Sequence, residues 1–91
     1  MKDSEFVRGD KVPMTKEEVR TIVLDRLNLA QATTFVDVGA GTGSVALEAA
    51  IRYPNLQVMA IEKNPAALTL IETNRQRFDC QNVEVIAAEA P

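Results

Sequence analysis

The sequence predicts an α/β protein in which parallel strands alternate with helices. Three observations predict it. Short apolar, β-branched runs alternate along the chain with runs of helical spacing, in the order α-β-α-β-α-β. A glycine-rich segment, Gly39-Ala40-Gly41-Thr42-Gly43, stands between a strand pattern and a helix pattern. The chain has 91 residues, whereas a doubly wound sheet of six or seven strands, at roughly 30 residues per βα unit, needs about twice that length. The sequence therefore reads as the N-terminal half of one such domain, with helix then β-α-β-α-β.

Each element has its own signal. Residues 1–12 are polar, contain Gly9-Asp10, and read as an arm. After Pro13, Thr15 as N-cap with Glu18 three residues on is a capping box. Val19, Ile22, Val23, Leu27 and Ala30 then form one stripe of a helix over 15–29, with Arg20, Asp25 and Arg26 off it. Residues 35–38, Phe-Val-Asp-Val, predict a buried strand. Residues 44–53 predict a helix apolar on most faces, sandwiched between the sheet and another layer, and stopped by Pro54-Asn55. A second strand runs over 56–62 and ends at Glu62. Asn64-Pro65 is an N-cap followed by proline at the first helical position, and it opens a helix over 65–77. That helix carries Ala67, Leu68, Ile71, Asn74 and Phe78 along one side. A polar turn over 79–82 leads to a third strand over 83–88.

Composition narrows the function classes. The chain is 46% hydrophobic and 25% charged, as globular domains are, and carries a net charge of −3. It lacks the basic footprint of a nucleic-acid binder, and its four aromatic residues offer no stacking platform. The absence of histidine excludes a histidine-ligated metal and a histidine base. One cysteine, Cys80, suits a reducing compartment. No apolar run approaches the ~18 residues of a membrane span, and the first ten residues have no signal-peptide core. A cytoplasmic protein with neither nucleic-acid nor membrane partners is expected.

The glycine loop carries the chemistry. It lies at the carboxyl end of a strand, where open α/β sheets bind ligands. Glycines permit positive φ and let a ligand approach the backbone, and the following helix start presents free N–H groups. Glu62 ends the next strand, where a carboxylate can accept the hydroxyls of a ribose. The spacing Gly39-x-Gly41-x-Gly43, with Asp37 two residues before it and Ser44 after it, departs from the G-x-G-x-x-G of dinucleotide folds. Asp37 can order the loop or meet a ligand's ammonium group. Cys80, Lys63, Glu89 and the run Arg75-Gln76-Arg77 read as ordinary surface or turn residues.

The acidic-x-G-x-G-x-G form at 37–43 resembles the first motif of class I S-adenosylmethionine-dependent methyltransferases. A narrower resemblance rests on four segments: residues 8–20, RGDKVPMTKEEVR; 37–45, DVGAGTGSV; 60–68, AIEKNPAAL; and 89–91, EAP. Together they resemble the decarboxylating precorrin, or cobalt-precorrin, carbon-15 methyltransferases of cobalamin biosynthesis. The resemblance implies a Rossmann-like fold, of which residues 1–91 are the cofactor-binding half, with S-adenosyl-L-methionine as cofactor and a tetrapyrrole as substrate. It implies that Gly39, Ala40, Gly41, Thr42 and Gly43 hold the methionine part, that Glu62 takes the ribose, and that Thr15 reaches the cofactor as well as the helix cap. Ala88 would lie against the adenine, although family members often have glycine there. Catalytic residues are not identifiable. Two other readings are a dinucleotide-binding half-domain of an oxidoreductase and a catalytically silent piece that self-associates. In the usual strand order the first strand is central, so its uncovered edge implies a homo-oligomer.

Overall fold

The computed structural model describes residues 1–89 and contains three α-helices and three parallel strands among them: α1 (Glu17–Arg26), β1 (Thr34–Val38), α2 (Ser44–Arg52), β2 (Gln57–Glu62), α3 (Pro65–Arg77) and β3 (Val83–Ala87). The strands lie in the order β1-β2-β3. Their register pairs Phe35 with Val58 and Val38 with Ile61, then Val58 with Val83 and Ile61 with Ile86. The α/β alternation and the parallel sheet are as expected from the sequence.

Two successive crossovers in the same direction place α2 and α3 on one face of the sheet. Val58, Ala60 and Val83 are buried in one cluster with Leu47 and Ile71 on that face. Among the described residues no helix lies on the opposite face. Val36 and Val38 are 45% and 51% exposed there, beside the half-buried Met59, Ile61 and Ile86. The expectation of a buried first strand is thus corrected: β1 is an edge strand with one bare face.

Two further expectations change. Residues 1–12 are not a detached arm. Phe6 and Val12 are 5% and 6% exposed, and the Phe6 ring meets Phe78 edge-on at 5.4 Å. The Asn74 side chain clamps Val7, accepting its N–H at 2.7 Å and donating to its carbonyl at 3.0 Å.

Helix α1 also differs in its start and in its orientation. Lys16 rather than Thr15 is the N-cap, and no local side chain caps the helix. The Glu17 N–H donates instead to Asp3 Oδ1 at 3.0 Å, so the capping oxygen comes from fourteen residues upstream. The predicted inward stripe faces out, with Val19 50%, Ile22 59% and Leu27 43% exposed, while Arg20 and Leu24 are buried. The cause is electrostatic. Arg20 Nε donates to Glu48 Oε1 of α2 at 3.3 Å, and Arg20 Nη1 donates to Asp3 Oδ1 at 2.6 Å. These partners turn the arginine inward, and Leu24, one turn on, follows it.

At the other end of the sheet the Asn82 side chain donates to the carbonyls of Ala50, Tyr53 and Leu56, at 2.8–3.3 Å. Cys80 beside it is buried, and burial pushes its thiol up from the ordinary value.

Candidate cofactor site

Gly43 is the N-cap of α2 and is left-handed, with φ 83°, a conformation that favours glycine. Gly39 and Gly41 also have positive φ, at 72° and 60°. The loop between β1 and α2 is tied to the neighbouring strand. The amides of Gly39 and Ala40 donate to the Ile61 carbonyl at 2.8 and 3.1 Å, and the Gly43 amide donates to the Ala40 carbonyl at 2.9 Å.

The three glycines do different work. A side chain at Gly43 would press on Ile71 at 3.3 Å, and one at Gly41 would meet the Pro13 carbonyl at 2.9 Å. Only at Gly39 would a Cβ point into open space, with nothing within 4 Å. The freedom for a ligand to approach the backbone, expected of the whole loop, therefore resides at Gly39. Thr42 is buried, and its carbonyl accepts from Asn74 Nδ2 at 3.2 Å.

Glu62 ends β2 with a side chain that is almost wholly enclosed, the residue being 9% exposed. Its Oε1 accepts the Gly41 N–H at 2.9 Å, and its Oε2 accepts those of Lys63 and Asn64 at 3.1 and 3.0 Å. Burial alone would raise this carboxyl. The amides of Asn64, Gly41 and Lys63, with the Lys63 charge, outweigh burial and hold it below the ordinary glutamate value. The carboxylate is thus a brace between the glycine loop and the start of α3. Oε2 already accepts two hydrogen bonds, so the free acceptor capacity lies on Oε1.

Asp37, half-buried at the end of β1, has the opposite character. Burial pushes its carboxyl up to about 6, against the Ala46 amide, which lowers it, and with the Glu62 charge, which raises it further.

A cleft of about 270 Å³ opens at the carboxyl edge of the sheet and is lined by Val38, Gly39, Ile61, Glu62, Lys63, Ala88 and Glu89. Among the expected residues it unites Gly39, Glu62 and Ala88. Ala88 follows β3 and is exposed, with its N–H donating to the Glu62 carbonyl at 3.1 Å. Asp37, on β1, and Ala40, Gly41, Thr42 and Gly43, in the loop that follows it, are not on that lining. Thr15 is on the far side of the loop, where its carbonyl accepts from Ser44 Oγ at 3.4 Å and from Arg20 Nη1 at 2.6 Å. Sequence reasoning missed Arg20 and Glu48 here. The one available signal was a glutamate set within the apolar run Val45-Ala46-Leu47-Glu48-Ala49-Ala50-Ile51.

A parallel sheet with helices, a positive-φ glycine loop after its first strand and an acid closing its second define the Rossmann-like half-fold of the methyltransferases. Solved structures bear this out. The chain superposes over its whole length on 48% of a precorrin-6y C5,15-methyltransferase from Geobacter metallireducens, at TM-score 0.92 and 38% identity. It also matches, over 92% of its length and 25% of the other chain, a coclaurine N-methyltransferase solved with N-methylheliamine and SAH, at TM-score 0.66 and 28% identity. Residues 5–91 match the precorrin methyltransferase domain family, and the chain belongs to that family. It is 58% identical over all 91 residues to the cobalt-precorrin-6B C(15)-methyltransferase (decarboxylating) of Salmonella typhimurium, of which it covers 47%. The chain spans about half the length of the curated relatives it matches.

Proposed function

We propose that this chain is the cofactor-binding half of an S-adenosyl-L-methionine-dependent methyltransferase of cobalamin biosynthesis. The substrate of the whole protein is a precorrin or cobalt-precorrin, methylated at carbon 15 with loss of carbon dioxide from an acetate side chain. The observation that carries the reading is the pairing, in one cleft, of the unobstructed Gly39 with the Glu62 carboxylate. A group of nucleoside shape fits this pairing, because Gly39 leaves room for its atoms and Glu62 Oε1 retains a lone pair for a ribose hydroxyl.

When bound, the cofactor supplies a methyl group activated on a sulfonium. The protein's share is then alignment. Glu62 fixes the ribose and, through the Gly41 N–H, the loop. Asp37 would order the loop or meet the cofactor's ammonium group, directly or through water. Ala88, whose side chain is a single methyl group, leaves room for the adenine. Thr15 approaches from the 13–15 segment, and Ala40, Thr42 and Gly43 shape the loop backbone. The substrate wall comes from the part of the domain outside this chain. The bare sheet face and the open β1 edge support a homo-oligomer when the 91 residues stand alone. Among the described residues no helix is long and apolar enough to cross a membrane. The single cysteine, which suits a reducing compartment, supports a cytoplasmic protein.

Calorimetric titration with S-adenosylhomocysteine and, separately, with NAD tests the reading. Saturable binding of the first and none of the second is expected. The reverse selectivity would assign the loop to a dinucleotide.

A further inference from the structure

Arg20 is fully buried, yet it lies outside the cleft and belongs to no part of the site described so far. Its guanidinium gathers four acceptors from three stretches of chain. Nε donates to Glu48 Oε1 at 3.3 Å, Nη1 to Asp3 Oδ1 and to the Thr15 carbonyl, both at 2.6 Å, and Nη2 to the Met1 carbonyl at 2.6 Å. Its Cζ stands 5.0 Å over the Phe6 ring. Glu48 is held in turn by Arg52 Nη2 at 3.4 Å. An ion pair this deep is weak evidence for stability, since desolvation offsets its attraction. What it does supply is fixed geometry, because a planar guanidinium orients several acceptors at once.

The acceptor that matters is Thr15. Its carbonyl is shared between Arg20 Nη1 and Ser44 Oγ, and Ser44 is the first residue of α2, next to Gly43. Two residues earlier, the Pro13 carbonyl fills the space beside Gly41 where a side chain would stand. The 13–15 segment is therefore the outer wall of the glycine loop, and Arg20 is what pins that wall. We propose that Arg20 is a positioning residue: through Thr15 it sets the 13–15 segment against the glycine loop, and so governs ligand affinity at the cleft without touching the ligand. The affinity part of the proposal rests on the reading of this loop as the cofactor site.

The test pairs binding with folding. Arg20→Met alone removes one positive charge from a cluster in which Glu48 keeps the Met1 ammonium at 3.0 Å and Arg52 at 3.4 Å, so Arg20→Met/Glu48→Gln, which leaves the cluster's net charge unchanged, is the informative variant. It should melt cooperatively and bind S-adenosylhomocysteine at least ~5-fold more weakly, the effect of losing one charge-assisted tether. Glu48→Gln alone keeps the Thr15 tether and should bind within about 2-fold of the unaltered protein. A folded double variant with unchanged affinity, or a Glu48→Gln variant weakened as much as the double, would overturn the proposal. Hydrogen exchange in Arg20→Lys supplies a second readout that holds even if the double variant does not fold. Lysine keeps the charge opposite Glu48 but cannot span all four acceptors. The Gly41 and Ser44 amides should exchange faster than in the unaltered protein, with Leu24 and Ile71 unaffected. Unchanged Gly41 and Ser44 exchange overturns the proposal. If the unaltered protein binds no S-adenosylhomocysteine, the cofactor reading fails while the exchange measurement still decides the role of Arg20.

Discussion

Glu62 is both a recognition group and a brace, and the two roles separate by substitution. Glu62→Gln replaces one carboxylate oxygen by a donor, which then faces either the Gly41 amide or the pair from Lys63 and Asn64. A backbone N–H loses its acceptor in either orientation, and a thermal melt should show a loss of about 1–3 kcal/mol. Glu62→Ala should weaken S-adenosylhomocysteine binding at least ~10-fold. A deoxyribose analogue should also weaken with Glu62→Ala, because the Gly41 anchor is lost whatever the sugar carries; an unaffected analogue would confine Glu62 to the ribose. Asp37 gives a prediction in pH. Its folded carboxyl is raised to about 6 above the ordinary 3.8, so the folded state binds the extra proton between those values. Stability from this group is fully present below the lower value and is lost as pH rises through about 6. Denaturant melts from pH 4 to 7 should show that loss, and Asp37→Asn should abolish it. If the carboxylate meets the cofactor's ammonium, affinity runs the other way: it should fall as pH drops below about 6, and the fall should flatten in Asp37→Asn.

Elements differed in how far their sequences declared them. Helix α3 was plain, because Asn64 and Pro65 mark its start and the Ala67, Ile71, Asn74 spacing marks its inward face. The Asn64 side chain accepts the Ala66 N–H at 2.9 Å, as an N-cap should. The glycine loop and Glu62 were plain for a similar reason: local backbone needs and strand ends leave local marks. The orientation of helix α1 is not legible in residues 15–29, because nothing there encodes Asp3 or Glu48, the long-range partners of Arg20. Its apolar outer stripe is a trap for periodicity, which counts hydrophobic residues without knowing where the core lies. The contrast is measurable. Val19→Ser and Ile22→Ser should change stability by no more than ~0.5 kcal/mol each. Leu24→Ala, on the face that sequence alone would have left to solvent, should cost about 2–5 kcal/mol in the same denaturation experiment. A large cost at Val19 or Ile22 would show that their face is covered in solution.

At the scale of the molecule the sheet is covered on one side only. Val36 and Val38 expose apolar surface on the bare face of β1, whose outer edge has no strand beside it among the described residues. Such an edge is a template for another chain. We expect the 91-residue chain by itself to sediment as a dimer or larger, with a second copy on this face, and expect Val36→Lys/Val38→Lys to shift it toward monomer. A monodisperse monomer of the unaltered chain would refute the pairing. The strand order has a consequence for how the protein is made. Because β1, β2 and β3 pair in the order in which they occur, with one helix between each pair, no strand must wait for a later one to be threaded between its neighbours. Each βα unit can dock on its predecessor as it leaves the ribosome, and the bond from the Gly41 amide to Glu62 needs only β1, its loop and β2, all of which precede α3 and β3 in the chain.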